Sequence, residues 1–118
     1  MKDKDYKTFV ETKLFSRKWL ELGLNDEDLQ LLQNVLIETP NIGKVIPGTG
    51  SLRKLRISMP CKGKRGGARV CYVNFLLFDT IYLIDVYSKN EKENLTEGEK
   101  AIMKKYIQQI EKELKANE

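Results

Sequence analysis

The chain has 118 residues, 41% hydrophobic and 32% charged, a balance that fits one compact domain over 1–118 and leaves no room for a second. At this length the core suffices without disulfides or a structural metal, and the two cysteines, Cys61 and Cys71, form no CxxC pair. The complete lack of histidine excludes zinc sites built on Cys and His, Ser-His-Asp and Cys-His nucleophile systems and imidazole acid/base pairs, so an active site must draw on Lys, Arg, Tyr or carboxylates.

The first seven residues are mostly charged, with no apolar stretch behind them, so no secretory leader is expected. No apolar run approaches the roughly 20 residues that span a bilayer. A reducing cytoplasm with free thiols is the expected setting. Over 9–22, the spacing of Phe9, Val10, Leu14, Phe15, Trp19, Leu20 and Leu22 predicts a first helix ended by Gly23, with a short strand near 7–10 as an open alternative. Asn25 or Asp26 caps a second helix that places Leu29, Leu32, Val35 and Leu36 on one face and stops before Pro40.

Two Pro and three Gly make 40–50 a loop. From 52 to 58 the residues alternate, Leu55 and Ile57 on one face against Lys54, Arg56 and Ser58 on the other, which predicts a half-buried strand with a basic outer face. The stretch 60–67, PCKGKRGG, reads as a flexible loop. Two nearly continuously apolar strands follow at 68–78 and 80–87, as expected for central strands covered on both faces. Thr96 and Glu99 form a capping box for a last helix whose stripe is Ile102, Met103, Tyr106, Ile107, Ile110 and Leu114. The expected fold class is α+β: an N-terminal helical hairpin, a three- to four-stranded, mainly antiparallel sheet and a C-terminal helix.

Charge is distributed unevenly. Residues 39–78 contain no Asp or Glu but eight cations, Lys44, Arg53, Lys54, Arg56, Lys62, Lys64, Arg65 and Arg69, within a net charge of only +4. Such a stretch leaves its repulsion uncompensated unless an anionic partner relieves it, and phosphate-rich nucleic acid suits the four arginines among them. Arg69 opens a strand reading ARVCYVNFLLF, where an unpaired buried charge is costly, so it is expected to face an anion or the open edge of a site. Tyr72, three residues on, reads as either core or part of the patch. Tyr87 and Lys89 lie at the end of the third strand, where they can complete it.

The runs GTGSLRKLR at 48–56, KGKRGGARVCY at 62–72 and VYSKNEKENLT at 86–96 closely resemble the HigB branch of the RelE/ParE toxins of bacterial type II toxin-antitoxin systems. Ser51 departs from that pattern, in which a second glycine is more usual. The resemblance implies a RelE-like fold and an mRNA interferase that enters the ribosomal A site. There it cleaves translated message without a metal or other cofactor, through attack of a 2′-OH on the adjacent phosphate. By matching motif positions, Arg69 is the transition-state phosphate clamp with Lys64 and Arg65 beside it, and Tyr87 and Lys89 are candidates for proton transfer. Arg53, Lys54, Arg56 and Lys62, with Tyr72, are expected to grip rRNA or mRNA. The implied partners are the ribosome, mRNA and a cognate HigA-like antitoxin of helix-turn-helix type, with operator DNA reached only through the antitoxin. No membrane partner is expected. The alternative on the same fold is a ParE-like gyrase poison that cuts no RNA.

Overall fold

The computed structural model describes residues 7–59 and 64–117. Five strands, β1 (Thr8–Glu11), β2 (Lys44–Val45), β3 (Arg53–Met59), β4 (Lys64–Phe75) and β5 (Thr80–Ser88), form one sheet in the order β1-β5-β4-β3-β2. The pairings of β2 with β3, β3 with β4 and β4 with β5 are antiparallel, and β1 runs parallel to β5. The helices are α1 (Lys13–Glu21), α2 (Asp26–Glu38) and α3 (Glu97–Ala116).

The expected α+β class and helix order stand, but the sheet has five strands rather than three or four. Both additions are short. β1 occupies the start of the predicted first helix, because Thr12 caps α1 by accepting the Phe15 N–H, which leaves Phe9 and Val10 extended beside Ile81 and Tyr82. The Thr12 hydroxyl also donates to the Ile84 carbonyl at 2.8 Å, fixing the helix entry to β5. β2 lies within the predicted loop 40–50, and a two-residue strand has no period for a sequence pattern to show.

Helix α2 starts as predicted. Asn25 and Asp28 exchange side-chain and backbone hydrogen bonds in a capping box, with Asp26, Glu27 and Asp28 favourably placed at the positive end of the helix dipole. Phe15 and Trp19, one turn apart on α1, stack at 5.2 Å. With Leu32 and Leu36 of α2, they cover Val70, Tyr72, Leu83 and Val86 on one face of the sheet. The other face carries a second core in which Ile107 and Ile110 of α3 cover Cys71, Val73, Ile84 and Tyr87. β4 and β5 are thus sandwiched between helices, as their continuous apolar runs predicted. The stripe of α3 is narrower than expected. Met103, Ile107, Ile110 and Leu114 follow a single line along the helix and pack, while Ile102 and Tyr106 lie to one side and are exposed.

The predicted second strand is shifted. β4 ends at Phe75, and Leu76–Phe78 form a 3-10 turn closed by Asp79 in the left-handed region (φ 48°), so Leu77 is 86% exposed. At its other end β4 reaches back to Lys64, into the predicted loop 60–67, of which 60–63 lie outside the described residues.

Register shifts interrupt both long pairings. Between β4 and β5, Cys71 faces Asp85 and Tyr72 faces Leu83, which leaves Ile84 as the extra residue of a β-bulge. Asp85, beside that bulge, is buried and accepts from Lys18 Nζ at 2.8 Å and from the Val86 N–H at 2.8 Å. Replacing Lys18 by Met would strand this carboxylate. A loss of about 2 kcal/mol in a urea titration is expected, below the full cost of an orphaned buried charge because the Val86 N–H still faces it.

Candidate nucleic-acid interface

The sheet places three predicted residues in one straight row. Arg56 of β3 is the register partner of Arg69 on β4, and Arg69 is the partner of Tyr87 on β5. Side chains of register partners lie on the same face, here the face that carries α3. Lys54, two residues before Arg56, shares that face and faces Cys71 in the next row.

Arg69 is 2% exposed. Its Nη2 donates to both carboxylate oxygens of Glu93, at 3.2 and 3.1 Å, and Arg56 Nη2 lies 3.9 Å from the same carboxylate. Lys54 Nζ donates to the Glu93 carbonyl at 3.2 Å and to Asn94 Oδ1 at 2.9 Å. The cations therefore converge on the segment between β5 and α3. The hydrogen bond from Arg69 holds the Glu93 carboxyl below its ordinary range against the opposing effect of desolvation, helped by the charges of Arg69, Arg56 and Lys54.

Tyr87 is completely buried, and apart from the weakly bonding Cys71 thiol beside it, its hydroxyl has no hydrogen-bond partner among the described residues. Lys92 Nζ sits over its ring at 5.0 Å and Lys18 Nζ at 5.9 Å. Burial above all, then the adjacent Cys71 and Asp85, push the phenol well above its usual value, so it is protonated at neutral pH. Burial, with Asp85 adding to it, pushes the Cys71 thiol up to about 12, which leaves it protonated and inert. Partial burial opposes the charge of Lys92, but the Glu99 carboxylate, hydrogen-bonded at 2.8 Å, outweighs it and raises the ammonium above its ordinary value.

Two predicted members of the patch belong elsewhere. Tyr72 faces the α1/α2 side, fully buried, where its hydroxyl donates to the Pro40 carbonyl and accepts the Gly43 N–H, both at 2.9 Å. Arg53 is its register partner, and Arg53 Nη1 donates to the carbonyls of Gly43 and Asn41 at 2.6 and 3.2 Å. Together they hold the chain between α2 and β2, on the face opposite Arg69. Lys89 is exposed in the turn after β5, and its backbone N–H donates to the Gly67 carbonyl at 3.2 Å. Lys64 and Arg65 are the first residues of β4, and their side chains lie outside the described part of the structure, as does Lys62 entirely.

Sequence reasoning did not single out Glu93 or Lys92. Both lie in the charged run KNEKEN, where nothing in the pattern separates a residue turned onto the sheet from one in solvent.

This arrangement, a short strand and two helices followed by the other four strands of a mixed sheet and a last helix, is similar to solved toxin structures. A chain of the crystal structure of the intact E. coli RelBE toxin-antitoxin complex matches with a TM-score of 0.52 at 17% identity, covering 75% of this chain and 100% of that one. A double-arginine mutant of E. coli toxin RelE in the free state matches with a TM-score of 0.53 at 16% identity, covering 73% and 86%. These likenesses are of fold. The sequence itself matches the family described as the RelE toxin of the RelE / RelB toxin-antitoxin system over residues 7–117, and the chain belongs to that family.

Proposed function

We propose that this RelE-family chain is a toxin of the HigB branch that cleaves translated mRNA in the ribosomal A site. The observation that supports this reading best is the row Arg56, Arg69 and Tyr87, two guanidinium groups and a phenol held in register across three strands. A gyrase poison or a simple RNA-binding module has use for the cations but none for a proton donor set beside them.

In the proposed reaction a ribose 2′ oxygen forms a bond to the adjacent phosphorus as its proton leaves. The bond from phosphorus to the 5′ oxygen then breaks, and that oxygen takes up a proton, leaving a 2′,3′-cyclic phosphate and a 5′-OH. Arg69 binds the non-bridging oxygens and stabilises the charge that builds on them, a task suited to a fixed, planar guanidinium. Tyr87 supplies the proton to the leaving oxygen, in keeping with its raised pKa. Lys89 is assigned to the attacking side, where its amine takes up the proton from the 2′-OH, and Lys64 and Arg65 to the flanking phosphates. Lys54, Arg56 and Lys62 hold the RNA backbone. The reaction as proposed draws on no cofactor, and the ribosome contributes much of the alignment of the message. A cognate antitoxin of HigA type is the proposed protein partner, carrying any contact with operator DNA.

The deciding experiment maps 5′ ends on an mRNA translated by purified ribosomes, with and without the protein. New ends confined to A-site codons of translated message are expected. Intact message together with inhibited DNA supercoiling would replace this reading with the gyrase poison. Arg56, 75% exposed along its side chain, offers a separate check of backbone grip. Arg56→Ala should weaken ribosome binding about fivefold and lower the slope of log affinity against log salt by about one, with little change in cleavage at saturation.

A further inference from the structure

The two groups that the proposed chemistry needs most, Arg69 and Tyr87, are both buried, and the same stretch of chain covers them. Segment 89–94 folds back over the α3 face of the sheet. Lys92 lies on the Tyr87 ring at 5.0 Å, Glu93 takes the Arg69 guanidinium with both carboxylate oxygens, and Lys54 clasps the segment through the Glu93 carbonyl and Asn94. The far end is anchored by Leu95, 6% exposed in the α3 core, and by the Thr96/Glu99 capping box.

A carboxylate and a phosphodiester are alike where a guanidinium meets them. Each is a monoanion presenting two oxygens to a planar donor fork. The Glu93 side chain is 42% exposed, so its carboxylate can return to water at small cost, whereas Arg69, 3% exposed along its side chain, cannot. The buried arginine needs an anion, and Glu93, the carboxylate it holds among the described residues, is one that can leave.

We propose that segment 89–94 is a built-in lid whose Glu93 carboxylate holds, in the free protein, the place that an RNA phosphodiester takes on Arg69. RNA must displace Glu93 before it reaches Arg69 and Tyr87. This rests on the reading of the α3 face as the RNA site, and it adds that the unoccupied toxin is self-covered. The lowered pKa of Glu93 keeps the latch ionised at neutral pH.

The test is calorimetric binding of a 2′-O-methyl oligoribonucleotide, which cannot be cleaved, to the full chain without ribosomes. A site open one-tenth of the time binds about tenfold more weakly than one always open. Glu93→Gln should therefore bind about tenfold tighter than the wild type, and the gain should vanish in the Glu93→Gln/Arg69→Ala double variant. Glu91→Gln makes the same charge change two residues away and should gain less than twofold. Equal gains from Glu91→Gln and Glu93→Gln would reduce the effect to general electrostatics and overturn the lid, as would no gain from Glu93→Gln in a protein with wild-type circular dichroism. If Glu93→Gln proves unfolded, Glu93→Asp, which draws the carboxylate back by one methylene, takes its place with an expected gain of a few-fold. Here too the absence of a gain overturns the proposal. An Arg69-dependent gain without any cleavage on ribosomes would keep the lid and sink the nuclease, and cleavage without a gain would do the reverse.

Discussion

Arg69→Ala is expected to lower the rate of message cleavage by saturating toxin on ribosomes by about 10²–10³-fold, the usual cost of deleting one donor aimed at developing charge. Ribosome binding in a sedimentation assay should change less than twofold, because the exposed cations that grip the backbone are untouched. The expectation follows from the place of Arg69 at the centre of the row, with Arg56 on one side and Tyr87 on the other. Arg69→Lys should not restore the rate, since an ammonium cannot present two parallel donors to a phosphate. A fall in stability does not account for such a result. Among the described residues the carboxylate left behind, Glu93, is half-exposed and returns to water rather than standing as a buried charge. Ribosome binding and cleavage falling together would make Arg69 part of the ribosome grip rather than of the reacting phosphate's own site.

Much of this site was legible in the sequence because a strand imposes strict parity. Lys54 and Arg56 share a face, and an arginine inside ARVCYVNFLLF had to meet an anion. The same parity sets two other predicted residues apart from the row. Tyr72 lies three residues from Arg69 and Arg53 three from Arg56, odd separations that send each to the opposite face, where they meet as register partners. The pairing of Arg69 with Tyr87 depends on register across a hairpin that contains a bulge at Ile84, which no local pattern encodes. Glu93 was harder still. Its importance comes from long-range closure onto a buried charge, and it sits among charges typical of a solvated turn.

The fold shows the same division. Capping residues and helical periodicity located α2 and α3, because those signals act within a turn or two. β1 is legible only as the alternative strand near 7–10, because Phe9 and Val10 also fit the helical spacing that continues through Phe15 and Trp19, and only the cap at Thr12 separates the two elements. The run Leu76–Phe78 was read as strand from its apolarity, yet it turns at the tip of a hairpin. Hydrophobicity alone does not specify backbone direction.

The largest stability effect is expected at Gly67, in the segment whose proline, three glycines and three cations point only to a loop. Gly67 adopts φ +65° inside β4, where the register between β3 and β4 shifts from Ile57 paired with Ala68 to Met59 paired with Lys64. A Cβ there would run into the Ile57 carbonyl oxygen and would also lie 3.0 Å from the Ile57 carbonyl carbon and Ser58 Cα. These are backbone atoms of the neighbouring strand and cannot swing aside as a side chain would. Gly67→Ala should cost about 3–5 kcal/mol, combining the left-handed backbone penalty of about 1–2 kcal/mol with forced separation of two paired strands. For a chain of this size that is a fall in melting temperature of roughly 10–20 °C. Gly50→Ala separates the two contributions, since Gly50 also has a positive φ, +88°, but nothing lies within 4 Å of its added Cβ. It should cost only about 1 kcal/mol. Equal melting temperatures for the two variants would show that β3 yields freely at Ile57. The effect should also reach the site, because the Gly67 carbonyl accepts the Lys89 N–H at the start of the proposed lid and Arg69 lies two residues on. Any fraction of Gly67→Ala that folds should thus bind the uncleavable oligonucleotide with an affinity unlike the wild type, whereas Gly50→Ala should bind it normally.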